Sequence, residues 1–123
     1  MATINATEGA FEKLISKEGI VFVDFWAAWC GPCRMFGPIF EAASEKYPDI
    51  TFAKVDTDAE QQLAGAAGVS SIPTLMAFRD GVLLYREAGA LPAPQFEELI
   101  TAVKNVNMDE VRADIAKQTG EKS

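Results

Sequence analysis

The seven residues "IVFVDFW", positions 20–26, restrict the possible folds most. In a strand, alternate side chains face opposite ways, so Ile20, Phe22, Asp24 and Trp26 share one face and Val21, Val23 and Phe25 the other. Both faces are mostly apolar, which predicts a central strand covered on both sides rather than one half open to water. Such a strand needs helices above and below it, and the flanking sequence offers them. Thr7 is placed to cap a helix with apolar face Phe11, Leu14 and Ile15 that ends near Gly19, and Phe36, Ile39, Phe40, Ala43 and Tyr47 recur at helical spacing up to Pro48, with Pro38 expected to kink that helix.

The same alternation continues downstream. "ITFAKVD" reads as a strand, and Thr57 with Glu60 as a capping box opening a short helix that stops at Gly68. "TLMAF" and "VLLYREA" are two more strands joined at Asp80-Gly81, a strong hairpin signal. A helix with Phe96, Leu99, Ile100 and Val103 on one face follows. The strand–helix–strand unit predicts a right-handed parallel crossover, and the hairpin adds antiparallel strands. The fold class is therefore α/β: a mixed sheet of four to five strands, the fifth a weak one near Thr3-Ile4, with helices on both faces. The expected domain is residues 1–106. From Asn107 an extra helix is predicted, capped by Asn107 with Glu110, bearing Val111 and Ile115 on one side, stopped by Gly120 and frayed over "GEKS".

With 123 residues, 49% of them hydrophobic, the chain fits one core. A net charge of −7 argues against a nucleic-acid partner. No apolar run is long enough to span a bilayer, and the N-terminus lacks the basic and apolar regions of a secretory signal, so a cytoplasmic location is expected.

The only cysteines, Cys30 and Cys33, are separated by Gly31 and Pro32, and the chain has no histidine. A disulfide there closes a loop too small to constrain the unfolded chain much, and a zinc site lacks its second ligand pair. A C-x-x-C after a strand and at a helix mouth reads as a redox dithiol. The free N–H groups and dipole of the helix end favour a thiolate on Cys30, which attacks a substrate disulfide. Cys33, one turn on and pointing more inward, then resolves the mixed disulfide, and Pro32 limits the freedom of the reduced loop. The bland alternative is an inert pair of buried structural cysteines.

Two charged residues stand out in the strands. Asp24 lies mid-strand among Ile20, Phe22 and Trp26, where desolvation raises a carboxyl's pKa and suits it to proton transfer with a thiol. The alternative is a solvated or capping aspartate. Lys54 shares a face with Ile50 and Phe52, where a snorkelling side chain is the ordinary account. Trp26 alternates inward with Asp24 and reads as core, whereas Trp29 lies past the strand end and reads as surface. On these residues alone, Pro73 is a trans residue entering a strand.

"WCGPC" preceded by "VDFWA" resembles the active-site segment of the thioredoxins. "FAKVDTD", "SIPTLMAF", "RDGV" and "AGAL" resemble further segments in the family's order, from the first helix to about Asn105. The resemblance implies a thioredoxin fold and a protein disulfide reductase with no bound cofactor and no metal, working on disulfide-containing proteins as a monomer. It also implies electrons from NADPH through a thioredoxin reductase. Asp24 is then placed behind Cys33, Lys54 becomes a candidate modulator of Asp24, and Ile72-Pro73 becomes a cis bond beside the cysteines. Ile72 offers its backbone to an extended peptide, and Trp29, Gly31, Pro32, Pro73, Gly89 and Ala90 form an apolar collar around Cys30. Two departures stand out: Arg34 replaces the usual lysine after the second cysteine, and the tail beyond Asn105 has no counterpart in the short bacterial form. Rival readings are a disulfide oxidase or isomerase, whose spacer commonly carries the histidine absent here, and a non-redox binding subunit using the same collar.

Overall fold

The computed structural model describes residues 2–121, and side chains through Thr119. Five strands, β1 (Ile4–Asn5), β2 (Ile20–Trp26), β3 (Thr51–Asp56), β4 (Thr74–Arg79) and β5 (Val82–Ala88), form one sheet in the order β1-β3-β2-β4-β5. β1, β3 and β2 run parallel, while β4 and β5 are antiparallel to their neighbours. The central place of β2 follows from its composition: Val21, Phe22, Val23 and Phe25 have no exposed surface.

The two faces of β2 feed two separate cores. Phe22 packs with Phe36 and Phe40 of α2 (Gly31–Lys46) and Phe96 and Ile100 of α4 (Ala93–Asn105). Val21, Val23 and Phe25 pack with Phe11 of α1 (Glu8–Ser16) and Leu63 of α3 (Gln61–Ala66). The first core is aromatic. Phe40 alone has ring centroids of Phe52, Phe36 and Phe96 within 5.3, 5.8 and 6.0 Å.

Three local expectations need correction. The Thr57–Glu60 capping box does not form. Instead Asp56 Oδ1 accepts the Asp58 and Ala59 N–H groups, the Thr57 hydroxyl donates to Trp26 O at 3.0 Å, and the helix starts only at Gln61. An aspartate ending a strand competes for the same amides that a cap would use. Thr7 is the N-cap of α1, but its side chain makes no capping bond. The tail does form a helix, α5 (Met108–Glu121), and Asn107 Oδ1 accepts the Glu110 N–H at 3.1 Å as expected. It continues through Gly120, however, and among the described residues Met108 is the one it buries; Ile115 is 44% exposed. Pro38 lies inside α2 without ending it. The fraying expected of Lys122 and Ser123 falls outside the described residues.

Candidate active site

Strand register assembles the site. Phe25 pairs with Thr74, so the residues before β4, Ile72 and Pro73, lie beside the C-terminal end of β2. Thr74 also pairs with Ala88, which brings Gly89 next to Pro73; the Gly89 N–H donates to Pro73 O at 2.8 Å. Gly89 has φ +110°, a conformation that side chains disfavour. The Ile72-Pro73 bond is cis, as the resemblance implied and as the residues alone did not. Past Trp26 the chain turns, and Cys30 becomes the N-cap of α2, with Gly31 and Pro32 opening the helix.

Cys30 and Cys33 are joined as a disulfide. The Cys33 N–H points at Cys30 Sγ from 3.2 Å, the donor that would meet a thiolate once the bond is reduced. Ile72 O lies 3.7 Å from the same sulfur. The expected contrast in depth between the cysteines is absent in the disulfide: each is 4% exposed.

Asp24 shares the β2 face of Phe22, the face covered by α2. It is 1% exposed, and neither carboxylate oxygen has a hydrogen-bond partner among the described residues. Burial pushes its pKa from 3.8 up to about 7, against the opposing pull of the Lys54 ammonium. Lys54 is the register partner of Asp24 on β3. Its Nζ sits 4.8 Å from the centre of the Trp26 ring, so one side chain both stacks on an aromatic and acts on the carboxyl. Trp26 is half-buried rather than fully core. An open cavity of about 570 Å³ borders Trp26, Cys33, Arg34, Gly37, Glu41 and Lys54, on the Cys33 side of the disulfide.

Trp29 is 66% exposed, and its indole N–H donates to Asp58 Oδ2 at 3.0 Å. Gly31, Pro32, Gly89 and Ala90 are also exposed; Pro73 is buried, as Cys30 is, and Ile72 is half-buried. Met35 and Asp58 stand at this surface without having been singled out in the sequence. Met35 is 73% exposed and borders an apolar groove of about 330 Å³ with Ala90 and Leu91. Its signal was present, since it falls outside the Phe36–Phe40 stripe of α2. Asp58 gave none, being 29 residues from Trp29.

The sequence model of the family described as Thioredoxin matches residues 2–102. Among curated proteins, "Putative thioredoxin 2" of Streptomyces coelicolor is 44% identical over 117 residues, covering 95% of this chain and 87% of that protein. An alignment of that length reaches well into α5. The thioredoxin of Bacillus subtilis is 41% identical over 101 residues, covering 81% of this chain and 96% of its own. Among solved structures, Malassezia sympodialis thioredoxin superposes with a TM-score of 0.73 at 32% identity, covering 81% of this chain and 89% of that one. With its C-x-x-C pair at the mouth of α2, the chain belongs to the thioredoxin family of thiol–disulfide oxidoreductases.

Proposed function

We propose that the chain reduces protein disulfides, with Cys30 as the attacking thiolate, Cys33 as the resolving thiol and Asp24 as the proton partner of Cys33. The observation that carries this reading is the Cys33 N–H aimed at Cys30 Sγ at the head of a helix. In the reduced chain the Cys30 thiolate attacks one sulfur of the substrate. The substrate S–S bond breaks, a mixed disulfide forms and one substrate thiolate leaves. Asp24, whose pKa near 7 lies between those of ordinary carboxyls and thiols, takes the Cys33 proton. Cys33 then attacks Cys30 Sγ, the second substrate thiolate leaves, and the internal disulfide remains. Two electrons have passed to the substrate.

An extended substrate segment pairs its backbone with Ile72, across the sulfur that Ile72 O already faces. Trp29, Gly31, Pro32, Pro73, Gly89 and Ala90 supply sequence-tolerant apolar contact around Cys30. Lys54 tunes Asp24. NADPH, through a thioredoxin reductase, restores the dithiol, which places the protein in a reducing compartment such as the cytoplasm. Residues up to 106 carry the chemistry, and α5 is an appendage to that unit. Among the described residues no helix is long and apolar enough to cross a membrane.

The test is reduction of insulin with NADPH and a thioredoxin reductase. Wild type is expected to turn over and Cys30→Ser to be inactive. Equal activity of the two proteins would overturn the assignment.

A further inference from the structure

The backbone at Ile72 belongs to a loop, residues 69–73, whose far end is gripped from the edge of the sheet. Arg86, on β5, donates from Nη1 to Ala67 O and from Nη2 to Gly68 O, both at 2.6 Å. These carbonyls follow the last turn of α3, where helix geometry leaves C=O groups unpaired. The fit is close. Gly68 has φ +72°, and a Cβ built there would stand 3.1 Å from Arg86 Nη2. Two separate carbonyls one residue apart suit a planar fork of donors and not a single ammonium.

Few other bonds hold the loop. The Val69 N–H donates to Ala64 O at 3.0 Å, and the Thr74 hydroxyl donates to Ser71 O. Gly89 holds Pro73 O at the other end. Ser70 and Ser71 between them are exposed. The loop thus has two hydrogen-bonded anchors, β4 with Gly89 on one side and Arg86 with the α3 terminus on the other, while Val69 and Ile72 pack against the apolar core between them.

We infer that Arg86 is a positioning residue for substrate capture: its double hydrogen bond to Ala67 and Gly68 holds the 69–73 loop so that the Ile72 backbone stays in line with Cys30. The inference rests on the proposed pairing of substrate backbone with Ile72. Arg86 does not touch substrate. It sets the fraction of molecules whose loop is ready to pair, and apparent reactivity toward a peptide falls with that fraction.

Pre-reduced full-length protein is mixed with excess disulfide under pseudo-first-order conditions, and second-order rate constants are compared for wild type, Arg86→Met and Arg86→Lys. Three disulfides are used: a peptide disulfide, the same peptide N-methylated at the amide that would pair with Ile72, and an aromatic disulfide with no peptide backbone. For Arg86→Met the peptide rate is expected to fall about fivefold, the scale of one or two net hydrogen bonds, while the aromatic disulfide reacts at the wild-type rate. Arg86→Lys, keeping one donor, should fall between. Proportional slowing toward both disulfides, or no slowing toward the peptide, would overturn the positioning role. Should wild type react equally with the methylated and unmethylated peptides, the pairing reading itself fails and this inference with it. If wild type discriminates between them and Arg86→Met keeps the full peptide rate, only the inference fails.

Discussion

Asp24→Asn should change the pH dependence of stability in a way that identifies the buried carboxyl. Below pH 3.8 the folded and unfolded chains both carry the Asp24 proton, and no charge is buried. Between 3.8 and about 7 the folded chain retains the proton and the unfolded chain releases it, so unfolding free energy falls as pH rises. Above about 7 the group is ionised in both states and the loss is complete. At about 1.4 kcal/mol per pH unit, the gap between 3.8 and about 7 amounts to about 4 kcal/mol. Asparagine preserves the volume and removes the ionisation. Urea unfolding of the oxidised proteins between pH 3.5 and pH 8.5, with wild type and variant measured together, isolates this group from all others. The variant is expected to be the more stable by about 4 kcal/mol at pH 8.5 relative to its standing at pH 3.5. A wild-type-minus-variant difference that stays flat across this range would refute the raised pKa and, with it, the assignment of Asp24 as a base near neutrality.

Three further outcomes follow from the same geometry. Lys54→Met removes the charge that lowers the Asp24 pKa, so a carboxyl ¹³C titration should place the midpoint above that of wild type; an unchanged midpoint would break the proposed coupling. Phe40→Ala empties a site with no exposed surface in contact with three aromatic rings, and should cost about 3–5 kcal/mol by urea unfolding. Ending the chain at Asn107 removes the buried Met108 side chain and should cost about 1–2 kcal/mol by urea unfolding; unchanged stability would show that α5 is not docked.

The sequence made the fold legible where pattern and physics coincide. A strand apolar on both faces has to be central, and β2 is; the Asp80-Gly81 turn joins β4 and β5, with φ +52° at Asp80 and +81° at Gly81. The cysteines, Asp24 and Lys54 were visible as residue types out of keeping with their surroundings. Long-range partners were not visible. Asp58 under Trp29 and Arg86 over Gly68 are ordinary exposed charges until the fold brings them across the sheet end. The cap predicted at Thr57 failed because the neighbouring Asp56 took the amides first, whereas the Asn107 side chain accepts the Glu110 N–H. Among the described residues the buried side chain of α5 is its first, Met108, three residues before Val111 on the same helix face.

The central claim is that Cys30 attacks and Cys33 resolves. Cys33→Ser cannot resolve, so mixing the reduced variant with a disulfide-bonded peptide and taking an intact mass should show a stable adduct of one peptide on Cys30, absent from wild type. No adduct on the variant, or an adduct on Cys33 in the Cys30→Ser protein at the same rate, would contradict the account.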